Sequence, residues 1–237
     1  MNDIYVALDF PSWEETNVFI KHHNLQGVPV KVGMELFYRE GPDIVKRLKE
    51  HDHKVFLDLK LHDIPTTVYR AMKNLAQLNV DIVNVHALGG LEMMKRAKEG
   101  LRERAHSNQT TKLLAITMLT SHDQHVVNEE LLLPNTISEH VVHLASLTQK
   151  SGADGVVCSV HEATDIKKAC GSDFLTVTPG IRLTDSGAHD QRRVATPAYA
   201  REHDADILVI GRSITRARQP YDAYQQVVEE WRYEHQS

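Results

Sequence analysis

The chain has 237 residues, 41% of them hydrophobic and 25% charged, the proportions of an ordinary globular protein and poor ones for disorder, collagen-like repeats or coiled coil. Twenty-seven Lys and Arg against 32 Asp and Glu give a formal charge of -5. That balance excludes a broad cationic surface for nucleic acid or anionic membrane, so any phosphate ligand has to be met locally. The two cysteines, Cys158 and Cys170, have no CxxC or ligand spacing and suit a reducing compartment. Met1, Asn2, Asp3 and Ile4 do not begin a basic segment leading into an apolar one, and no apolar run approaches bilayer length. A soluble cytoplasmic protein is expected.

Short, β-branched apolar runs alternate with longer stretches of helical periodicity. In chain order, strands are expected near 4–8, 28–32, 54–60, 81–86, 113–117, 155–159, 174–178 and 206–210. The runs are almost continuously apolar, as strands covered on both faces require. Their starts lie roughly 20 to 40 residues apart, enough for a crossover helix each time, and about eight such units make a single (β/α)8 TIM barrel. A doubly wound open sheet is the architectural alternative. No linker, composition shift or low-complexity segment divides the chain, so residues 1–237 are expected to form one catalytic domain.

In such a barrel, chemistry gathers where strands end and βα loops begin. Those positions hold Asp9, Lys31, Asp58 with Lys60 and Asp63, His86, Thr120, Ser159 with His161, Arg182 and Arg212. One charge at a strand end is as readily a solvated cap, but the third unit concentrates several. In Phe56-Leu57-Asp58-Leu59-Lys60-Leu61-His62-Asp63, a period of two puts Asp58 and Lys60 on the barrel side and Leu59 and Leu61 toward the helices. A lysine flanked by carboxylates keeps its proton, whereas an imine-forming lysine has to lose it through desolvation or a neighbouring cation. Lys60 therefore reads as an acid rather than a nucleophile. The structural alternative is a buried ion pair that only closes the barrel, a role apolar side chains would fill as well.

Thr178-Pro179-Gly180-Ile181-Arg182 and Ile210-Gly211-Arg212-Ser213 fall after the seventh and eighth strands, where barrels commonly bind phosphate. Glycine lets backbone N–H groups approach, and arginine adds a forked cation. A phosphorylated small molecule is the implied substrate. Segment 183–190, with Gly187 and small polar residues, reads as a lid with Gln191 at its far hinge. Among the 15 histidines, the pairs His51 and His53, His122 and His125, and His140 and His143 invite a metal. None has the HExxH context or a third ligand, so no metal is expected. Residues 140–147 read as an amphipathic helix packing on the barrel, and Cys158 as a small buried hydrophobe.

The stretches VALDF at 6–10, KVGMELF at 31–37, DLKLHDIPTT at 58–67, VNVHALGG at 83–90, Leu119-Thr120, VTPGIR at 177–182, DQRRVATP at 190–197 and IGRSIT at 210–215 together resemble the orotidine 5'-phosphate decarboxylase family. They run from end to end of the chain in the family's order. The D-x-K-x-x-D element alone is shared with sister sugar-phosphate enzymes, and its combination with the late phosphate motifs is specific. The resemblance implies that Asp9 and Lys31 hold the ribose hydroxyls and that Lys60 donates a proton. It also implies an alternating Lys31, Asp58, Lys60, Asp63 array, in which Asp63 and Thr67 reach the active site of a neighbouring subunit, making a homodimer. Thr120 corresponds to a pyrimidine contact, and Arg182, Gln191, Gly211 and Arg212 to a phosphate grip, with Pro179 and Asp58 in the same substrate-binding set. Thr66 stands where many relatives have Asn and Leu183 where many have Pro, and neither change touches a charge.

The implied reaction is decarboxylation of orotidine 5'-monophosphate to uridine 5'-monophosphate in pyrimidine biosynthesis, without a cofactor and with no nucleic-acid or membrane partner. Two alternatives stand beside it. One is a magnesium-dependent sister enzyme, 3-keto-gulonate-6-phosphate decarboxylase or hexulose-phosphate synthase. The other is a non-catalytic nucleotide-binding barrel.

Overall fold

A computed structural model describes residues 3–103, 111–183 and 194–232. Strands β1 (Asp3–Leu8), β2 (Val30–Gly33), β3 (Val55–Leu61), β4 (Ile82–His86), β5 (Lys112–Ile116), β6 (Gly155–Val157), β7 (Leu175–Thr178) and β8 (Ile207–Ile210) close into a barrel in sequence order. The closing pair, β1 with β8, is parallel and runs from Asp3↔Ile207 to Val6↔Ile210, which replaces the open-sheet alternative with a (β/α)8 barrel. The crossovers carry helices α1 (Trp13–His22), α2 (Met34–Glu40), α3 (Asp43–Glu50), α4 (Pro65–Leu75), α5 (Gly90–Glu103), α6 (Ile137–Lys150), α7 (Val160–Cys170) and α8 (Pro197–Glu202), and α9 (Arg212–Thr215) and α10 (Pro220–Arg232) follow β8. Among the described residues, no helix is long and apolar enough to cross a membrane.

Alternation along the strands divides the core into two layers. On β1, Ile4, Val6 and Leu8 join the large cluster under the helices, whereas Tyr5 and Ala7 join an inner cluster with Phe56, Ile82, Leu114, Ile116, Val157, Val177, Ile207 and Val209. Each fully buried side chain of this size contributes about 1.5–3 kcal/mol by leaving water, so both faces of every strand favour the same register. The inner layer fills the barrel and becomes the floor of the site above it.

Most strand limits fall within one residue of the sequence expectation, and two differ by two residues for clear reasons. Strand β2 begins at Val30 rather than residue 28, because Pro29 has no N–H and the Val28 N–H turns back to the Leu25 carbonyl at 3.3 Å. Strand β6 stops at Val157 because Ser159 already caps α7: its Oγ accepts the His161 N–H at 3.4 Å, and Glu162 accepts the Ser159 N–H at 2.8 Å. Ser159 and His161, candidates by strand-end position, therefore build a helix start and line no part of the cavity.

The N-terminal face repeats one tie three times. Asp81, just before β4, accepts the Lys49 ammonium and the Val55 N–H, both at 2.7 Å. Asp206, just before β8, accepts Lys167 at 2.6 Å and the Thr176 N–H at 2.7 Å. Asp154, just before β6, accepts Lys98 and, at 2.7 Å, the Leu113 N–H. In each case a carboxylate joins a helix lysine to the backbone at the start of the preceding odd strand, a charge-assisted clasp on the face opposite the site.

Gly155 marks the tightest approach in the wall, since a Cβ there would lie 2.3 Å from the Leu175 carbonyl oxygen on β7. Gly155→Ala is expected to force β6 and β7 apart and cost about 1–3 kcal/mol. A lowered urea midpoint with unchanged slope checks this, and an unaltered midpoint would refute it.

Three of the six paired histidines hydrogen-bond to backbone carbonyls. His53 is buried with Nδ1–H donating to the Val28 carbonyl at 2.6 Å, and burial holds its pKa below the ordinary value. His51 donates to the Arg47 carbonyl at 2.7 Å, and His140 meets the Pro134 carbonyl. The 140–147 stretch lies within α6, which opens with a Thr136–Glu139 capping box and buries Val141, Leu144 and Ala145.

Candidate active site

The C-terminal mouth of the barrel holds a cavity of about 240 Å³. Ala7, Phe56, Ile116, Val157 and Val209 of the inner layer form its floor. On one side stand Asp9, Lys31, Asp58 and Lys60, from the ends of β1, β2 and β3. Pro179, Gly180, Arg182, Gly211 and Arg212 come from the ends of β7 and β8, and since β8 pairs with β1 the Gly211 turn stands beside Asp9, whose Oδ2 would lie 3.6 Å from a Cβ there. Thr120 reaches it from the β5 side with Met118 and Leu119. Gly180 adopts φ +82°, a left-handed conformation that glycine takes without a steric penalty and that lets the chain double back after Pro179. Beyond it, the bridge Ile181↔Ala195 ties together the two ends of the segment read as a lid. Residues 184–190 of that segment, and Gln191, lie outside the described residues.

The charged side is one connected array. Lys31 sits 3.3 Å from Asp9 Oδ1 and 3.4 Å from Asp58 Oδ2, and the Lys60 ammonium donates to Asp58 Oδ1 at 2.7 Å. Lys31 can reach across because Gly33 follows it on the same face, where a Cβ would stand 3.3 Å from the ammonium. Burial alone would raise the Asp58 pKa. The charges of Lys31 and Lys60, with hydrogen bonds from Lys60 and Asn84, outweigh that and hold its carboxyl below the ordinary value. Asp58 is thus an ionised carboxylate at neutral pH, gripped between two ammonium groups.

Lys60 reaches the cavity by a route that simple alternation does not describe. Its φ is +52°, and the β3–β4 pairing jumps from Leu57↔Val83 to Leu61↔Val85. The strand bulges at the lysine. The Lys60 N–H, removed from the ladder, is taken by the Asn84 side-chain oxygen at 2.7 Å. Leu59 and Leu61 still pack into the outer cluster as expected.

Asp63 and Thr67 are exposed and line no part of their own chain's cavity. Asp63 Oδ1 caps the neighbouring Ile64 N–H at 2.6 Å. His86, at the end of β4, also stands outside the cavity, stacked on His62 with ring centroids 5.5 Å apart. Burial, and electrostatic opposition from the neighbouring His62, His122 and Lys60, push its pKa down to about 4, so it is neutral at neutral pH.

An ammonium–carboxylate array sharing a barrel mouth with two arginine-bearing glycine loops is a specific combination. A family model described as the orotidine 5'-phosphate decarboxylase / HUMPS family matches residues 2–227. The chain belongs to that family. Among individual relatives, the orotidine 5'-phosphate decarboxylase of Bacillus cytotoxicus is 51% identical over 229 residues, covering 96% of each chain. Of solved structures, orotidine 5'-phosphate decarboxylase from Lactobacillus acidophilus is similar with a TM-score of 0.88 at 41% identity, covering 98% of this chain and 100% of that one. An uncharacterized conserved protein from Geobacillus kaustophilus is similar with a TM-score of 0.85 at 48% identity, over 96% of this chain and 99% of that one.

Against this family background, three residues at or beside the array escape a reading by strand ends. Asn84 and Gly33 support it from within β4 and β2, and Cys158, buried just past β6, forms part of the cavity wall. Asn84 does leave a trace, as the one polar residue in the otherwise apolar run Ile82-Val83-Asn84-Val85.

Proposed function

We propose that this chain decarboxylates orotidine 5'-monophosphate to uridine 5'-monophosphate in pyrimidine biosynthesis, without a cofactor, from a single catalytic domain over residues 1–237. The observation that carries the reading is the Lys31, Asp58, Lys60 array sharing one cavity with Arg182 and Arg212. The anionic phosphate binds at the arginine loops, with Gly211 and Gln191 completing the grip. Asp9 and Lys31 take the ribose hydroxyls, while Thr120 and Pro179 contact the substrate between these ends.

Breaking the bond from the ring to its carboxylate expels carbon dioxide and leaves the electron pair on the ring carbon, where no adjacent group delocalises it. The Lys60 ammonium is the positive charge nearest that developing pair. It stabilises the charge electrostatically and then transfers its proton to the same carbon, and solvent afterwards restores the ammonium. Asp58 holds the Lys60 ammonium aimed before the reaction, so little reorganisation is left for the chemical step. Binding of the remote phosphate lowers the barrier where it contributes more to the transition state than to the ground state.

The array is completed by a second copy. Asp63 and Thr67, exposed in one chain, belong at the mouth of the partner's cavity in a homodimer. The reduced state of Cys158 and Cys170 suits the cytoplasm.

The direct test is conversion of orotidine 5'-monophosphate followed by ultraviolet absorbance in excess chelator. Full turnover is expected. Loss of activity on chelation, restored by magnesium, would move the assignment to a sugar-phosphate sister enzyme, and nucleotide binding without turnover to a non-catalytic barrel.

A further inference from the structure

Asn84 is almost fully buried, with 1% of its surface exposed, and lies outside the cavity lining. Its amide nevertheless makes two contacts that meet at the charged array. Oδ1 accepts the Lys60 N–H at 2.7 Å, and Nδ2 donates to Asp58 Oδ1 at 2.6 Å. The orientation of the amide is unambiguous, because a backbone N–H can only donate and an ionised carboxylate can only accept. Asp58 Oδ1 is also the atom that receives the Lys60 ammonium. One side chain thus touches both ends of the lysine–carboxylate unit, the backbone from which Lys60 projects and the oxygen to which it points.

We infer that Asn84 is a positioning residue that holds Lys60 and Asp58 in register for proton transfer, by replacing the β3–β4 ladder bond lost at the bulge and by sharing the carboxylate oxygen that orients the ammonium. This inference rests on the decarboxylase reading above for its kinetic consequences and on the two hydrogen bonds for its geometry. A non-glycine residue at φ +52° is disfavoured unless its surroundings hold it there. The Asn84 acceptor is the group that does so, in a wall where an unpaired N–H would otherwise be buried. Apolar side chains precede and follow it on β4, and neither Val83 nor Val85 offers a substitute. The ionic groups bearing on Asp58 are Lys31 from β2 and Lys60 from β3, with Asp9 at the end of β1 joined to Lys31. Asn84 is the neutral third contact on Asp58, from β4.

Two variants separate its two bonds. Asn84→Ala removes both, and Asn84→Asp keeps the shape and the acceptor for Lys60 but replaces the donor to Asp58 with a second carboxylate. In Asn84→Ala, kcat for orotidine 5'-monophosphate is expected to fall about 10- to 100-fold with KM changed less than about threefold, the loss expected of a reacting group displaced by a fraction of an ångström. Losing the donor raises the Asp58 pKa, so the acid limb of kcat against pH moves upward. The same upward shift is expected in the carboxyl titration of Asp58, followed by carbon-13 NMR of labelled aspartate and assigned with Asp58→Asn. Asn84→Asp is expected to shift that titration further, since two adjacent carboxylates share one proton. If Asn84→Ala does not fold, the isosteric Asn84→Asp carries the test alone. A folded variant with unchanged kcat and unchanged Asp58 titration overturns the inference. So does a parallel loss of kcat and nucleotide affinity with an unshifted titration, which marks a merely structural role. The titration needs no turnover, so a wild-type protein inactive on this substrate defeats the functional reading while the positioning role is still decided by NMR.

Discussion

Lys60→Ala is expected to lower kcat by several decades, each worth about 1.4 kcal/mol of transition-state free energy, while leaving the barrel folded. The expectation follows from what the ammonium does in the cavity. It is bonded to Asp58 at 2.7 Å and is the proposed source of both the positive charge that meets the developing carbanion and the proton that quenches it. Among the described residues no second side chain is placed to take over: Lys31 is committed between Asp9 and Asp58, and Arg182 and Arg212 stand on the loops after β7 and β8. The structural cost is small by comparison, because Asp58 retains Lys31 and Asn84 as partners. The measurement is single-turnover decarboxylation alongside a thermal melt and a binding titration with uridine 5'-monophosphate. Near-normal turnover would sink the assignment of Lys60. Collapse of the melt together with turnover would show the array to be structural.

Asp63→Ala is the second large effect, with a distinctive signature. Asp63 is exposed and forms no ion pair within the chain among the described residues, so deleting it should scarcely alter the isolated fold. If it completes a partner's array, the substitution should still lower kcat by about two decades or more, as loss of a charge aimed at the reacting centre does. Mixing inactive Lys60→Ala subunits with inactive Asp63→Ala subunits then has a countable outcome. Random exchange in a two-fold dimer makes half of the dimers mixed, and each mixed dimer has one site with native Lys60 and native Asp63, so roughly a quarter of all sites recover. Recovery near that fraction supports the shared site. Absence of recovery, once exchange is demonstrated by mass-tagged subunits, counts against Asp63 acting across an interface.

The two experiments address different scales of the same electrostatic device. Lys31, Asp58 and Lys60 are assembled within one barrel, and the proposed role of Asp63 requires a second. The net charge of -5 conceals this local arrangement, because the cations that matter converge on one cavity while acidic groups dominate elsewhere.

Much of this molecule is written in local pattern. The apolar runs specify eight strands because a strand covered on both faces has to be apolar throughout, and the helical stretches between them leave a parallel barrel as the economical closure. Asp58, Lys60, Arg182 and Arg212 are visible at strand ends because side-chain period and glycine turns are properties of a few consecutive residues. Other features belong to contacts between distant segments. That Lys60 sits on a bulge at φ +52°, held by an amide 24 positions away, depends on how β3 registers against β4. That Ser159 caps a helix, and that Asp81, Asp154 and Asp206 clasp lysines on the far face, depends on where each strand stops and which helix lies beside it. Asp63 is the sharpest case. In one dimension it stands three residues from Lys60, yet the chain turns out of β3 and leaves it exposed, outside its own cavity. Sequence periodicity fixes which face a residue shares with its near neighbours. Register, bulges and closure of the barrel decide which distant groups come within hydrogen-bonding reach, because those distances are set by the packing of whole elements against one another.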